Sequence, residues 1–449
     1  MQDVFRYIEE HQDEAIEQLI RLTSMPSVSA QGRAIRETAQ AVVEMLRALG
    51  FEADVVPKWG GNAVVLGELA GASAKTILFY NHYDVQPAEP LELWSSPPFE
   101  PAIRDGKIYG RGVSDNKGNI VARLAAIRAL LAVRGRVPVN IRFCIEGDEE
   151  IGSPAIEPFV DKYADRLAAD ACIWEGSSVN WQEQLQITLG VKGILYVELL
   201  AKGASHDAHS SYATVVPNPA WRLVWALASL KDAHENILVD GFFDSVRPVT
   251  TPERAAVEAM PSQEEHMAQS LGLTGFVKGV RGLDYRLRHV LEPTCNIDGL
   301  TTGYEGGGPK TVIPCEANAK VDFRLVPDQT PDDILDKLRR HLDARGFADI
   351  EMRRLSAERP ARTPIDHPFV EVVREAARQV YAVEPVISPT MAGTGPLYPF
   401  AETLGLATAD CGVGYPESRI HAPDENIRLA DFVRGAQHVA AILERFAAS

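Results

Sequence analysis

The chain has 449 residues, of which 45% are hydrophobic and 24% charged, so it has the composition of a globular protein and enough length for more than one domain. With 45 Lys and Arg against 62 Asp and Glu, its formal net charge is −17 at pH 7. This acidic balance disfavours nucleic acid and anionic membrane surfaces, and we predict neither as a partner.

The five cysteines are scattered without a CxxC pair, which argues against a disulfide framework and against a thiolate zinc site. No window approaches about 18 uninterrupted apolar residues, and the N-terminal segment has an acidic amphipathic helical pattern that is unlike an export signal. These features predict a cytoplasmic protein with reduced, mostly buried thiols.

The first part of the chain alternates helices with strands. Helices are predicted at the N-terminus, over 34–49 and over 117–133. Strands rich in Val, Ile, Phe and Tyr are predicted over 63–68, 76–84 and 139–146. Such alternation is typical of an α/β sheet covered by helices.

The pattern changes after residue 192 and returns after residue 364. Between these points we predict a strand over 194–203, a helix over 219–230, a long linker-like stretch, a strand over 317–325 and a helix over 331–345. Helices over 368–381 and 429–446 then resemble the first part again. We therefore predict a discontinuous main domain, 1–188 and 366–449, interrupted by a smaller α+β domain over 189–365.

Two residues at the end of a predicted strand could begin a metal site. His82 and Asp84 are two positions apart, and such residues on a strand point to the same face. A metal-binding imidazole usually donates its other N–H to a carboxylate, which is the role that Asp84 would have. The alternative is a histidine that ends the strand and simply bonds to Asp84.

Three acidic residues lie in segments that precede or follow regular elements. Asp115 ends a glycine-rich loop at the start of a helix, where an N-cap is the alternative role. Glu149 and Glu150 follow a strand, at the edge where open α/β sheets place their sites. Because neighbours in an extended chain project oppositely, one could act as a base and the other as a ligand. A solvated acidic loop is the alternative.

Glu175 follows another short apolar run, and His421 lies in a Gly/Pro-rich loop near the C-terminus. Each is weak evidence alone, but they complete a set of nitrogen and oxygen ligands at strand ends and loops: His82, Asp115, Glu150, Glu175 and His421. Ligands of this kind, without sulfur, suit zinc, manganese or cobalt. Five of them also suit two ions that share one carboxylate.

Several long segments resemble one family of hydrolases. They are NHYDVQPAEPLELWSSPPFEPAIRDGKIYGRGVSDNKG, EGDEEIGS, GASHDAHSS, GGGPKTVIP, VDFRLVPDQTP, AGTGPLYPF and the loop of His421. In these segments the sequence resembles the co-catalytic di-metal peptidases, which include carnosinase-like and cytosolic nonspecific dipeptidases, glutamate carboxypeptidases, aminoacylases and acetylornithine or succinyldiaminopimelate deacylases. The resemblance covers nearly the whole chain and is closest in the dipeptidase branch.

The resemblance implies a role for each residue of the set. Asp115 would bridge two metal ions, with His82 and Glu175 at one ion and Glu150 and His421 at the other. Glu149 would be the general acid/base, Asp84 would orient His82, and the Asp115–Asn116 peptide bond would be cis. Three carboxylates and two neutral imidazoles around two divalent ions leave a charge of about +1, which a bridging hydroxide, the expected nucleophile, would neutralise.

The resemblance also implies which residues contact the substrate. They are His209, Thr311 and Arg324 in the inserted domain and Gly393 and Thr394 in the main domain. Arg324 would bind a terminal carboxylate, although an arginine on an alternating strand is ordinarily a surface residue. The inserted domain would form a lid and pair with its copy in a homodimer, where His209, as a catalytic residue, and Thr311 would serve the partner's site.

His206 is an alternative to His209. We prefer His209 because Asp207 and Ser210 flank it as in the family's DLHS segment, although Ala208 and Ser211 depart from that pattern. The choice between the two histidines stays open at this point.

The sequence thus predicts a cytoplasmic, homodimeric di-metal hydrolase with two divalent ions per chain, zinc first and manganese or cobalt as alternatives. It would cut the amide bond of a small substrate with a free carboxylate, and a dipeptide is the first choice. An N-acyl amino acid deacylase is the alternative. A catalytically dead metal-binding scaffold is disfavoured because Glu149 and every proposed ligand are present.

Overall fold

A computed structural model describes residues 1–449, with thirteen α-helices and nineteen strands. The helices are α1 Gln2–Glu10, α2 Gln12–Thr23, α3 Ile35–Ala48, α4 Lys117–Arg134, α5 Ile156–Lys162, α6 Ala164–Leu167, α7 Pro219–Leu230, α8 Thr251–Ala259, α9 Glu264–Leu271, α10 Gly282–Leu291, α11 Pro331–Ala344, α12 Pro368–Tyr381 and α13 Leu429–Ala448. The strands are β1 Glu52–Val56, β2 Val64–Leu69, β3 Thr76–His82, β4 Ala102–Arg104, β5 Lys107–Tyr109, β6 Asn140–Glu146, β7 Ala171–Trp174, β8 Gln186–Thr188, β9 Gly190–Val191, β10 Gly193–Lys202, β11 Ala208–His209, β12 Asn296–Thr302, β13 Val312–Ile313, β14 Glu316–Leu325, β15 Glu351–Glu358, β16 Ala361–Arg362, β17 Val386–Ser388, β18 Ala407–Asp410 and β19 Asn426–Arg428.

The chain divides into two compact units. The first unit comprises Met1–Gly190, Arg362–Pro389 and Pro396–Ser449. The second comprises Val191–Ala361 and the short segment Thr390–Gly395. No helix is long and apolar enough to cross a membrane.

The first unit is built around a six-stranded mixed sheet in the order β1-β2-β6-β3-β7-β18. The last four strands of this order run parallel, and β1 and β2 are antiparallel to their neighbours. β3 and β7 are buried along nearly their whole length, as expected for strands covered on both faces. Helices contact the sheet at β1 and β2 through α3, at β3 through α4 and at β18 through α12. The predicted α/β class with a mixed sheet covered by helices is confirmed.

The second unit contains an antiparallel sheet in the order β12-β14-β10-β15. Along β10 buried residues alternate with partly exposed ones, because only one face of the sheet packs against a core. Leu195, Val197 and Leu199 lie on that face, against which α7 and α11 pack. The core is therefore one sheet and two helices, as the predicted α+β pattern requires.

Three expectations about local structure were wrong. The N-terminal helical pattern forms two helices, α1 and α2, which meet at His11. The stretch taken as linker-like contains α8, α9, α10 and β12, whose buried residues are few because α8 and α10 share only a small apolar cluster around Val257 and Val290. β3 ends at His82, so Asp84 lies beyond the strand.

Candidate metal centre

Four of the candidate residues lie at one edge of the sheet of the first unit. β6, β3 and β7 run parallel, so their carboxyl ends meet at the same edge. His82 is the last residue of β3, and Glu175 directly follows β7. Glu149 and Glu150 follow β6 in a single 3-10 turn, so they are not on an extended chain as the sequence suggested.

Asp115 and His421 come from two loops. The helix α4 has Asn116 as its N-cap and no side-chain cap bond, so the alternative role of Asp115 as a capping residue is wrong. The Asp115–Asn116 peptide bond is cis, as the family resemblance implied. His421 and Glu175 have positive φ angles of 63° and 43°, a conformation that non-glycine residues adopt at a cost where the surrounding structure enforces it.

These loops and strand ends bring the five proposed ligands into two groups that share Asp115. In one group the Nε2 atom of His82 is 2.9 Å from Oδ1 of Asp115 and 3.5 Å from Oε1 of Glu175. In the other, Nε2 of His421 is 3.1 Å from Oδ2 of Asp115 and 3.0 Å from Oε2 of Glu150. The ligand atoms within each group all lie within 4.8 Å of one another. Each oxygen of Asp115 thus faces a different imidazole.

Asp84 lies on the opposite side of the His82 ring. The Nδ1 atom of His82 is 3.1 Å from the backbone carbonyl of Asp84 and 3.5 Å from its carboxylate. The Asp84 carboxylate accepts the backbone N–H groups of Glu149 and Glu150, at 3.2 and 3.1 Å. Asp84 therefore connects the His82 ring to the turn that carries the two glutamates.

The pKa shifts of Glu149 and Asp115 are in opposite directions. Burial and the neighbouring Glu175 carboxylate raise the pKa of Glu149 well above its usual range. By contrast, burial alone would raise the pKa of Asp115, but the imidazoles of His421 and His82 lower it. A carboxyl group with a raised pKa can hold and release a proton near neutral pH, which is the requirement for a general acid/base.

The carboxylates raise the pKa of both imidazoles. Bonds to Asp115 and Glu150 raise the pKa of His421 to about 10. Burial alone would lower the pKa of His82, but bonds to Asp115, Asp84 and Glu175 raise it. A divalent cation bound here would compete with these protons, because a metal ligand must be an unprotonated imidazole.

Glu425, which no motif in the sequence indicated, holds the loop of Asp115 in place. One Glu425 oxygen accepts the backbone N–H groups of Ser114 and Asp115, at 2.9 and 3.0 Å. The other accepts the N–H of Gly112 at 2.9 Å and Nη1 of Arg111 at 2.8 Å. All of these partners lie more than 300 positions away along the chain, so no local pattern indicated the contact.

A buried charge cluster that no motif in the sequence indicated precedes the Glu149 turn. The Lys58 ammonium lies 2.9 Å from a carboxylate oxygen of Glu146 and 2.9 Å from one of Asp148. Asn62 donates its backbone N–H and its side-chain amide to Asp148, both at 2.6 Å. Pairing makes these buried acids tolerable, and the cluster fixes the chain on the N-terminal side of the turn.

Arg123 likewise holds the backbone around Glu175. Its guanidinium is buried and donates to the backbone carbonyls of Tyr80 and Glu175 and to the side-chain carbonyl of Asn81. These bonds connect the carboxyl ends of β3 and β7, so Arg123 supports the backbone on which Glu175 adopts its positive φ angle.

In the second unit, His209 and Thr311 lie side by side. The short strands β11 and β13 pair His209 with Val312, and the backbone N–H of Ser210 donates to the carbonyl of Thr311 at 3.2 Å. The backbone N–H of Ser211 donates to Nδ1 of His209 at 3.1 Å, which places the ring proton on Nε2. Both His209 and Thr311 are exposed.

Arg324 and Thr394 also meet within this unit. Nη1 of Arg324 donates to Oγ1 of Thr394 at 2.6 Å, and its Nε lies 3.6 Å from Asp322. The carbonyl of the neighbouring Gly393 accepts the backbone N–H of Lys192 at 2.9 Å. His206 belongs to neither of these pairs, and its Nδ1 atom lies 3.0 Å from Oγ of Ser205.

The chain is similar to several characterised proteins. The structure of an M20 family metallo-carboxypeptidase, Sso-CP2 from Sulfolobus solfataricus, is 38% identical, with a TM-score of 0.92 over 97% of this chain and 100% of that one. The Beta-Ala-His dipeptidase of Homo sapiens is 29% identical over 98% of this chain and 92% of that protein. The Cys-Gly metallodipeptidase dug1 of Schizosaccharomyces pombe is 27% identical over 96% of this chain and 95% of that protein.

The sequence also matches the pattern of one protein family over residues 78–445, which include all five proposed ligands and Glu149. The two ligand groups that share Asp115 lie within this match, as do His209 and Arg324. The predicted enzyme class, a metallopeptidase, is confirmed at the level of the family. The chain belongs to Peptidase family M20/M25/M40.

Proposed function

We propose that the chain is a metal-dependent dipeptidase that cuts the amide bond of small substrates with a free carboxylate. The observation that carries this proposal is the pair of ligand groups that share Asp115, with Glu149 beside them. The names of two relatives, a Beta-Ala-His dipeptidase and a Cys-Gly metallodipeptidase, support a dipeptide as the substrate.

The donor set fits two divalent cations. Each group offers one imidazole nitrogen and two carboxylate oxygens, and no sulfur ligand is present, which suits zinc first and manganese or cobalt as alternatives. His82, Asp115 and Glu175 would hold one ion, and Asp115, Glu150 and His421 the other. Such ions lower the pKa of bound water and polarise a carbonyl group.

Glu149 moves the proton in this reaction. Its carboxylate takes a proton from the attacking water and gives it to the nitrogen of the leaving amine, as a general base and then a general acid. Burial raises the pKa of Glu149, which favours the protonated form that donates to the leaving amine in the second step. Asp84 keeps the His82 ring and the turn of Glu149 in a fixed relation through the bonds described above.

Arg324 binds the carboxylate of the substrate. Its guanidinium is partly exposed, with 35% of the side chain accessible, and Thr394 holds only one of its nitrogens. A planar guanidinium suits bidentate recognition of a carboxylate. Gly393 and Thr394 follow one another in the segment that meets Arg324, so both belong to the proposed substrate contacts.

The second unit pairs with its copy in a homodimer and acts as a lid. Two exposed features of this unit support pairing: the edge strand β12, with Ile297 and Leu300 each 50% exposed, and a face of α7 where the rings of Trp221 and Trp225 stack at 5.9 Å. An unpaired strand edge and a cluster of exposed apolar side chains are surfaces that proteins normally cover.

In this dimer, His209 and Thr311 serve the partner's active site. The N–H of His209 Nε2 is available because Nδ1 is already bonded to Ser211, and it would stabilise the oxyanion of the tetrahedral intermediate. His206 lies outside the β11–β13 pair, which favours His209 for this role. We further propose a cytoplasmic location, which the five free cysteines support.

The test is hydrolysis by the chain after loading with zinc, manganese or cobalt. A panel of dipeptides is compared with the same dipeptides carrying an N-acetyl group, the same dipeptides as C-terminal amides, and N-acetyl amino acids. We expect free dipeptides to be cut and the amides to be poor substrates. Faster hydrolysis of N-acetyl amino acids would contradict the dipeptidase and indicate a deacylase. No hydrolysis in the whole panel would contradict both.

A further inference from the structure

The second unit contains a cavity of about 770 Å³. Its walls come from the segment after α7, from α9, α10 and the loop between them, and from residues on β12 and β14. A volume of this size lies within the range of sites that take small molecules. Arg324, the proposed carboxylate-binding residue, is one of the residues that line it.

One wall of the cavity is aromatic and apolar. The ring of Tyr285 lies 4.7 Å from that of Phe276 and stacks on that of His289 at 5.9 Å. The Tyr285 hydroxyl donates to the sulfur of Met267 at 3.0 Å. Val280 adds a further apolar side chain to the lining. These contacts hold the wall in place, and aromatic and thioether groups favour apolar ligands.

The charged side chains of the lining largely neutralise one another. Equal numbers of basic and acidic residues line the cavity when histidine is neutral. Arg288 pairs with Glu292 at 2.9 Å, and Lys231 pairs with Glu235 in the same way. The cavity therefore has no excess charge with which to select a charged ligand.

The position of Arg324 in this lining connects the cavity to the substrate. In a dipeptide, the terminal carboxylate and the side chain of the last residue are attached to the same carbon atom. A carboxylate held by Arg324 therefore leaves that side chain next to the guanidinium, which is part of the cavity lining.

We propose that this cavity receives the side chain of the carboxyl-terminal residue of the substrate and selects large, uncharged apolar or aromatic side chains. The proposal rests on the proposed dipeptidase function, since it uses the substrate carboxylate to position the ligand. It adds to that function a preference for dipeptides whose carboxyl-terminal residue is apolar or aromatic.

The first experiment compares four dipeptides that differ only in the last residue: alanylphenylalanine, alanylleucine, alanylglycine and alanyllysine. We expect kcat/KM for the phenylalanine and leucine peptides to exceed that for the glycine peptide by roughly tenfold or more, because filling an apolar pocket discriminates to that extent. Equal rates for phenylalanine and glycine, or a preference for lysine, would overturn the inference.

The second experiment fills the cavity. Val280→Trp should lower the ratio of kcat/KM for alanylphenylalanine to that for alanylglycine by roughly tenfold, because the indole takes the space of the substrate side chain. Leu273→Trp is the matched control, since Leu273 lies in the same loop, is exposed and does not line the cavity. A ratio in Val280→Trp equal to that of the control would overturn the inference. If Val280→Trp does not fold, Ile237→Trp, on the opposite segment of the lining, replaces it.

The alanylglycine measurement separates this inference from the proposed function. If alanylglycine and the other peptides are cut at equal rates, only the role of the cavity is contradicted. If none of the four is cut by the metal-loaded chain, the dipeptidase function is contradicted as well. Calorimetric binding of the phenylalanine and glycine peptides to Glu149→Gln gives the same comparison without turnover.

Discussion

The carboxylate of Glu425 accepts a 3.0 Å hydrogen bond from the backbone N–H of Asp115, across 310 positions of sequence. Glu425 is fully buried and also accepts two other backbone N–H groups and the Arg111 guanidinium. Glu425 therefore holds the backbone of Asp115, the residue proposed to bridge two ions, although Glu425 is not itself a proposed ligand. This support holds the backbone from which the Asp115 carboxylate projects.

This relationship predicts that Glu425→Gln weakens the site without removing a ligand. An amide can accept at one atom only, so buried backbone donors lose their partners, at a cost of about 1–3 kcal/mol in the free energy of unfolding. Urea unfolding and metal content measure both effects. Glu417→Gln is the control, because Glu417 is 59% exposed in a 3.8 Å pair with Lys107 and such pairs contribute about 1 kcal/mol at most. Equal effects of the two substitutions would contradict the role of Glu425.

A second prediction separates the two neighbouring glutamates. Glu149→Gln should lower kcat by roughly 10²–10⁴ and leave the metal content unchanged, because it removes only the proton carrier. Glu150→Gln should instead lower the affinity for one ion of the two. Metal analysis after dialysis, together with turnover, distinguishes these outcomes. Equal metal loss in both variants would show that Glu149 is a ligand.

A third prediction concerns His209 and the partner subunit. His209→Ala should lower kcat by about 10²–10³, the usual effect of losing one oxyanion donor, and His206→Ala should not. Mixing His209→Ala with Glu149→Gln under subunit exchange tests the arrangement. If His209 acts on the partner's site, each heterodimer has one intact site and activity returns towards half of the wild-type level per heterodimer. No recovery, with exchange confirmed by mass spectrometry, would place His209 in its own chain's site.

A fourth prediction concerns how the stability of the protein depends on pH after its metal ions are removed with a chelator. The folded pKa of His421 is raised to about 10 from an ordinary 6.5, so its stabilising contribution is complete below about pH 6.5 and is lost as the pH rises towards 10. The chelated chain should therefore lose more stability between pH 6.5 and 9.5 than His421→Gln does. Thermal unfolding at both pH values measures the difference. Metal affinity should change in the opposite direction, rising with pH, because the ligand is the neutral imidazole. If both chelated proteins lost the same stability between the two pH values, the raised pKa would not belong to His421.

The proposed metal ligands at strand ends could be predicted from the sequence, but the buried residues that hold those ligands in place could not. β3, β6 and β7 are short apolar runs, so the approximate positions of their ends could be predicted, although β3 ends at His82 and not at Asp84. The residues near those ends include His82 and Glu175. Glu425 and Lys58 could not be found in this way. A buried charge produces no periodic pattern, and the partners of both residues are distant in sequence.

The extent of α8, α9 and α10 was likewise hidden. These helices are short and have few buried residues, so their apolar periodicity is weak. The cavity beside Arg324 depends on α9 and α10 for its aromatic wall, with Met267 on the first and Tyr285 on the second. Such a cavity can be recognised only in the three-dimensional structure. Its helices are weakly amphipathic, and the sheet residues that complete it are distant in sequence.

Asp115 is proposed to bridge two divalent ions, whereas Glu149 binds none. The most direct measurement is a crystal structure of the metal-loaded chain with anomalous scattering data at the absorption edge of the ion. We expect two peaks per chain, one among His82, Asp115 and Glu175 and the other among Asp115, Glu150 and His421. A single peak in an active enzyme, or a Glu149 oxygen bound to an ion, would contradict the proposed roles of Asp115 and Glu149.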